Sequence, residues 1–577
     1  MRSNIDLWLE VRTVSLSLLC ALVLSSCSGS RAPQEAVSQE IQARLTGTGA
    51  YSTIIIGNDS IGSSDLLAGL YIDRNHRAFW STDRDLLPQA DSLVEAIKEA
   101  DREGLRSEDY HLASLEAMMR DFRTHGQDGS FPFAPRLADL DLMLTDAFLL
   151  YASHLATGKV DPETLEPRWH PRRDALDYAD FMENALRSNR IRESLRGLLP
   201  RHAFYAHLRR MLLLFEARAK KGGWEPVPGG PEMKLGGEGQ RVSALRRRLA
   251  ASGDFVERQR RKRTEFDSTL AGAVRRFQKR HGLDATGIVD STTRAALNVP
   301  VEDRVGQIRA NLERWRWLPH TLSRKYVAVN VADFRLTAVE NGSAVLSMKV
   351  VVGNPDWQTP VFSSSLTQVL FNDYWVAPHN ILETELINYM KADSEYLRRN
   401  KMVLLRQQGD TLQEIDPRSV NLAALDPKDI DFTLRQDPGP LNIMGQVKFL
   451  LPNRYEVFLH DTPYREDFAK SIRMYSHGCI RLERPYEFAE YLLKDYPGWT
   501  KDTILAVVQR IERRTINLKE PVRIDVLYCT AWRDKDGTIE FREDYYGRDK
   551  RLNEALLQGP QATSAQPQVR LRVGRGP

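Results

Sequence analysis

The period of the apolar residues changes twice along the chain. An isolated apolar run of eleven residues, Val14 to Leu24, comes first. It is too short for the ~20 residues that carry a helix across a bilayer, and has the length of a signal-peptide core. From about residue 65 the spacing is helical: Leu93, Ile97 and Ala100 share a face, and Leu140, Leu144, Phe148 and Tyr151 predict a longer helix ending at Gly158. This pattern runs to about Ala219 and meets a stretch dense in Gly and Pro at 222–230, which reads as a boundary. A second helical unit follows at 236–300, with Val242, Leu245 and Leu249 on one helix and Leu270, Val274 and Phe277 on the next.

After Arg304 the period becomes that of strands. Val327, Val329 and Val331 alternate, and Val345–Val352, Leu366–Phe371, Tyr455–His460, Thr503–Val508 and Val522–Tyr528 are short β-branched or aromatic runs. Within this region Ile381 to Leu404 reads as helical. The polar stretch to Pro440 is too long for a hairpin loop, so a capping insertion is expected at about 381–440. Residues 531–577 read as a tail with one short strand near Ile539 to Tyr546. The expected fold class is multidomain α+β: a tether (28–64), a helical scaffold (65–230), a small helical unit (236–300), and a β-rich domain (305–530) built as a mixed β-sandwich.

Composition agrees with several cores. A chain of 577 residues exceeds the roughly 250 to 300 that one core serves. With 42% apolar residues and 81 Lys+Arg against 77 Asp+Glu, the chain is neither disordered throughout nor basic enough to mark a nucleic-acid protein. Four cysteines cannot form a disulfide scaffold and are read one by one. Scattered histidines such as His76, His111 and His154 lack metal-ligand spacing. The basic run Arg258 to Arg263 reads first as a solvated loop and second as a contact for anionic polymer or lipid.

The first apolar run closes on Leu24-Ser25-Ser26-Cys27, which resembles a bacterial lipobox. That resemblance implies cleavage of residues 1–27 as a signal peptide and acylation of Cys27, hence a membrane partner through a lipid anchor; an ordinary cleaved signal is the alternative. Ser28 in place of Asp after Cys27 favours the outer membrane of a Gram-negative cell, facing the periplasm. Asp6 and Glu10 offset Arg2 and Arg12, which points to a start downstream of Met1.

Chemistry concentrates late in the chain. His460 ends a strand-like run and is followed by Asp461-Thr462-Pro463; nineteen residues on lies Ser476-His477-Gly478-Cys479-Ile480-Arg481. A thiol attacks a carbonyl as the thiolate, which neighbouring histidines, a cation and turn amides would favour. Gly478 allows close backbone approach, and the amides around Gly478 and Cys479 could cradle an oxyanion. Arg481 suits a carboxylate fork, or a structural ion pair with Glu483 or Asp461. The competing readings of Cys479 are a buried structural thiol and, with His460 and His477, a zinc site that lacks the usual paired spacing. Cys529 reads as packing, as do the tryptophans, except that Tyr374 and Trp375 precede the insertion and could line a cleft.

These residues carry a family resemblance. The segment Ser476 to Arg481 with the upstream His460-Asp461-Thr462-Pro463 is similar to the active site of L,D-transpeptidases with the YkuD-type catalytic domain. Pro438 to Asn442, Gly445, Val447-Lys448-Phe449 and Pro452-Asn453 resemble the large YcbB-like subgroup. Phe277-Gln278 and His281-Gly282-Leu283 resemble a three-helix peptidoglycan-binding domain. The resemblance implies that Cys479 is the nucleophile, that His460 is a general base oriented by the main-chain carbonyl of Asp461, and that His477 and Gly478 complete the catalytic loop. It further implies that His477 and Arg481 shape the donor-peptide site; Ser476, and Tyr374 and Trp375 from their place before the insertion, are also expected to meet substrate. The partners implied are peptidoglycan stem peptides and glycan, with carbapenems as covalent inhibitors, no nucleic acid, no metal and no organic cofactor. The reaction implied is acyl transfer to a diaminopimelate amine, giving a 3→3 cross-link. L,D-carboxypeptidase action, attachment of a protein to the wall, and a non-catalytic wall-binding lipoprotein are the alternatives.

Overall fold

The computed structural model describes residues 33–46, 54–82, 85–126, 132–165, 176–256, 263–319, 321–421, 425–426, 429–534 and 536–559. The signal-like run, Cys27 and most of the basic run Arg258–Arg263 lie outside the described residues. The chain divides into two compact units.

The first unit takes the described residues to Lys159 together with 176–199 and 558–559. Its centre is the helix Phe133–Thr157, buried on nearly every side. Two carboxylates on this helix are fully buried and hold neighbouring segments. Asp141 accepts the backbone N–H of Phe79 (2.9 Å) and Trp80 (2.8 Å) and the Tyr71 hydroxyl (2.6 Å). Asp146 accepts the N–H of Ser63 at 2.8 Å and lies 2.8 Å from Nε2 of His111, whose Nδ1 faces Asp59 at 3.0 Å. Buried carboxylates persist only when several donors replace their water.

The stretch read as a tether departs from that expectation: Pro33–Thr46 is a helix. Val37 and Ile41 are buried, and Arg44 Nε reaches Asp139 of the central helix at 2.5 Å. Its apolar face is the i, i+4 series Val37, Ile41 and Leu45 among Gln, Glu and Ser, too sparse a signal to compete with the composition.

The second unit runs from Pro200 to Leu557 with residues 160–165. The helix Ala203–Lys220, read as scaffold, belongs here. It lies against the helix Val301–Arg316, with Arg309 to Glu216 at 2.8 Å and the buried Arg316 bonded to Tyr205 Oη (3.0 Å) and Glu313 (2.5 Å). In the chain between them comes a three-helix unit, Gln240–Ala251, Ser268–Arg280 and Ser291–Asn298, the last two N-capped by Asp267 and Asp290. Gln278 explains part of its sequence signature: its amide accepts Gly287 N–H and donates to the Ile288 carbonyl, both at 2.8 Å, fixing the loop after the second helix. His281 is buried and stacks on Phe277 with centroids 3.8 Å apart.

The β-rich domain is one mixed sheet of nine strands. They are β1 (Lys325–Asn330), β2 (Arg335–Glu340), β3 (Ser343–Gly353), β4 (Phe362–Phe371), β5 (Val447–Leu450), β6 (Leu459–His460), β7 (Met474–Ser476), β8 (Ile480–Leu482) and β9 (Arg514–Leu527). Their order is β7-β3-β8-β6-β5-β4-β9-β1-β2, and β2 also pairs with β3, so the sheet closes on itself. The pairs β6–β8, β7–β3 and β9–β1 are parallel and the others antiparallel. Thr503–Val508, expected as a strand, lies in the helix Lys501–Gln509. Thr500 caps it by accepting Thr503 N–H, and Ile504, Val507 and Val508 are buried at helical spacing, which outweighs β-branching.

Between β4 and β5 the chain leaves this sheet to form a cap. Four short strands, Trp375–Val376, Met402–Gln408, Thr411–Ile415 and Thr433–Gln436, make a second sheet with its own core of Leu382, Leu386, Ile387, Met390, Leu404 and Leu434. The helical segment expected to reach Leu404 ends at Ala392, with a further turn at Tyr396–Arg399, and Leu404 lies in a strand. An apolar run of that length does not by itself separate helix from buried strand. Within the helical segment, Leu382–Leu386 is a π-turn.

The region read as a tail is also folded up to Leu557. Ala531–Arg533 and Ile539–Phe541 pair, and the helix Arg548–Leu557 buries Leu552 and Leu556. Asp549 binds Arg314 at 2.5 Å and the Thr530 hydroxyl at 2.6 Å. Its dense charge hid these anchors from the apolar pattern.

Candidate active site

Strand register assembles the site. Leu459 pairs with Ile480 and His460 with Arg481 across the parallel β6–β8 ladder. Leu459, Ile480 and Leu482 are fully buried in the sheet's core. Alternation therefore turns His460, Arg481 and, one residue before β8, Cys479 to the opposite face. On the other side of β6, Lys448 of β5 pairs with His460 and shares that face.

The loop between β7 and β8 is held by backbone geometry. Gly478 has φ of 106°, where a side chain is strained. Its carbonyl accepts the hydroxyl of the fully buried Thr359 at 2.8 Å, and Thr359 in turn accepts Gly353 N–H at 2.8 Å. Ser476, expected at the substrate, is instead buried beneath the loop. Its hydroxyl donates to the Cys479 carbonyl (2.5 Å) and accepts Gly478 N–H (3.2 Å). The Gly478 amide, expected to face an oxyanion, is thereby already engaged.

His460 is buried, with Nδ1 2.5 Å from the Asp461 carbonyl. A carbonyl only accepts, so Nδ1 carries the hydrogen and Nε2 presents its lone pair. Burial is the main influence on its basicity, reinforced by the Arg481 charge; the carbonyls of Asp461 and Met444 oppose both, and the imidazole falls to about 3. The Asp461 carboxylate faces elsewhere, accepting from Gln446 N–H (3.0 Å) and Arg465 (3.1 Å).

Cys479 retains some exposure, and its Sγ lies 3.9 Å from the Glu456 carbonyl, a placement that suits S–H and would repel an anion. Burial raises its pKa above that of a free thiol, although the Phe458 backbone, Lys448 and Arg481 pull it down. Desolvation thus outweighs the two cations that were expected to favour the thiolate.

Arg481 is nearly buried, 3.6 Å from Asp467 and over the Tyr464 ring at 5.4 Å. The ion pair anticipated with Glu483 or Asp461 is thus made with Asp467 instead. Its Nε finds no hydrogen-bond partner. His477, half-exposed, has Nε2 2.5 Å from Glu385 of the π-turn and its ring 5.7 Å from Trp357. Trp375, expected in a cleft, is buried in the cap's core, and Tyr374 lies between the guanidinium groups of Arg435 (4.6 Å) and Arg513 (4.3 Å). Sequence reasoning gave no role to Lys448, Thr359 or Glu385. Lys448 stood inside the quoted Val447-Lys448-Phe449 run, whereas Glu385 is 92 residues from its partner. Cys529 is half-buried and its thiol is pushed up to about 12 by burial, which makes it unreactive. Among the described residues no cluster of three His, Cys, Asp or Glu is placed to hold a metal ion.

Known proteins agree with this architecture. Residues 324–523 match the L,D-transpeptidase catalytic domain, 65–212 a Scaffold domain, and 238–297 a family described as "Putative peptidoglycan binding domain". The β-rich domain thus matches the L,D-transpeptidase catalytic domain, and the same chain carries matches to a scaffold domain and a peptidoglycan-binding domain. A "Putative L,D-transpeptidase" of Haemophilus influenzae is 32% identical over 258 residues, covering 44% of this chain. The match spans half, 50%, of that relative's length. Among solved structures, an L,D-transpeptidase from Stackebrandtia nassauensis is 12% identical with a TM-score of 0.19, covering 52% of this chain and 96% of its own. One from Mycobacterium smegmatis is 12% identical with a TM-score of 0.18, covering 35% and 58%. Superpositions that low leave the assignment resting on the domain matches.

Proposed function

We propose that the protein is a peptidoglycan L,D-transpeptidase that joins stem peptides by 3→3 cross-links through a thioester on Cys479. The observation that carries this reading is the placement of His460, fixed through Nδ1 by the Asp461 carbonyl and turned to the same sheet face as Cys479. Nε2 takes the thiol proton as Sγ attacks the carbonyl of the third residue of a donor stem, then gives it to the departing D-alanine amine. A base that is neutral at pH 7 is available for every encounter, and a thiol that starts neutral requires attack and proton transfer to proceed together. Arg481, on that face and paired with Asp467 at 3.6 Å, places a positive charge beside the thiol that suits a donor carboxylate. An amine of a neighbouring stem then resolves the thioester.

Export and anchoring through Cys27 would put this chemistry in the periplasm, where its polymer lies, and the module at 238–297 would hold the enzyme to that polymer. The test is incubation with a purified disaccharide-tetrapeptide and mass analysis of the products. Free D-alanine with a 3→3 dimer is expected. Release of D-alanine with tripeptide alone would mark a carboxypeptidase, and no release would contradict acyl transfer.

A further inference from the structure

Two opposite charges flank the loop that carries Cys479. Arg481 stands on the sheet side, and on the cap side Glu385 reaches His477 at 2.5 Å while leaving 36% of its side chain exposed. Glu385 comes from the π-turn Leu382–Leu386, whose Leu382 and Leu386 are buried in the cap's core. A π-turn adds a residue to the helical repeat and so redirects one side chain without unpacking its neighbours, a device frequent at functional sites. The Trp357 ring lies 5.7 Å from that of His477. Tyr389 and Tyr396 stack with centroids 5.6 Å apart, and the Tyr396 hydroxyl, raised chiefly by burial, also feels Tyr464 and Glu385. Tyr464 is 44% exposed and carries Arg481 over its ring. A partly exposed carboxylate beside the loop that carries the thiol fits a ligand that brings an amine.

We propose that Glu385, paired with His477, is the subsite for the acceptor amine, the primary amine of a diamino-acid side chain. The inference rests on the acyl-transfer reading and specifies what resolves the acyl-enzyme. An alkyl amine is an ammonium at neutral pH and cannot attack in that form. The Glu385 carboxylate attracts the ammonium, which gives one proton through the Glu385–His477 pair to water. The free amine attacks the thioester carbonyl; the C–N bond forms and the C–S bond breaks. The second amine proton passes through His460 to Sγ, restoring the thiol. Water needs no counter-charge to enter, so Glu385 selects amine over water.

The experiment uses the full-length protein, a disaccharide-tetrapeptide donor and free diaminopimelate as added acceptor, and reads the ratio of amide product to hydrolysed donor. Glu385→Gln is expected to lower that ratio at least tenfold and to raise the KM for the acceptor, while Glu385→Asp, which keeps the charge, recovers most of it. Hydrolysis in the same tube shows that each variant is folded. A Glu385→Gln ratio within twofold of wild type, or equal ratios in the Gln and Asp variants, would overturn the proposal. Failure of the wild type to release D-alanine would instead remove the acyl-transfer reading beneath it.

Discussion

His460 and Arg481 stand opposite each other on the parallel strands β6 and β8, and the guanidinium helps keep the imidazole neutral. With the imidazole at about 3 and the thiol raised, the acid limb of Cys479 acylation should follow His460. The group is deprotonated, and competent as a base, throughout the range above its folded pKa. The acylation rate should stay nearly flat from about pH 5 to 8 with a normal solvent deuterium isotope effect, and His460→Gln should lower it roughly 100- to 10,000-fold. Stopped-flow acylation across pH checks this. An acid limb centred near pH 6.5 without an isotope effect would indicate a preformed thiolate–imidazolium pair.

Gly445 holds the carboxylate behind this base in place. It has φ of 64°, and a Cβ there would overlap the Asp461 side chain. Gly445→Ala should therefore displace Asp461 and the carbonyl that orients His460, costing about 1–3 kcal/mol of stability and slowing acylation at least tenfold. Thermal unfolding and acylation kinetics measure the two effects. Retention of both would mean that the loop relaxes freely.

Thr359 links the Gly478 carbonyl to the end of β3. Thr359→Val keeps the shape and removes the hydroxyl, stranding a buried N–H and a buried carbonyl, with a cost of about 1–3 kcal/mol. The acylation rate should fall because the loop carrying Cys479 loses its anchor, whereas Thr359→Ser should restore most of it. Equal rates in the Val and Ser variants would show that the hydroxyl is dispensable.

In the helical unit, Asp141→Ala leaves the buried amides of Phe79 and Trp80 without their acceptor and the Tyr71 hydroxyl with Thr145 Oγ1 in its place. A loss of about 3 kcal/mol or more is expected, read as reduced amide-exchange protection around Phe79 and Trp80. Unchanged protection there would show that water replaces the carboxylate.

Much of this molecule was legible in the chain because its signals are local. Alternation at Val327, Val329 and Val331, the breakers at 222–230 and the tight Ser476–Arg481 segment each speak within a few residues. What escaped depends on long-range contacts. The helix Pro33–Thr46 rests on Val37, Ile41 and Leu45 and on Arg44 reaching Asp139, and Trp375 looked like a cleft residue until the cap's own core claimed it. The upward shift of the Cys479 thiol was not legible, because sequence shows the cations near a thiol and not the desolvation that outweighs them.

Intact-mass spectrometry after incubation with a carbapenem tests the role of Cys479 most directly. The expected result is one adduct per wild-type chain, mapped to the peptide containing Cys479, and none on Cys479→Ala. An unmodified wild-type protein, or an adduct of the same mass on Cys479→Ala, would contradict the assignment of Cys479 as the nucleophile.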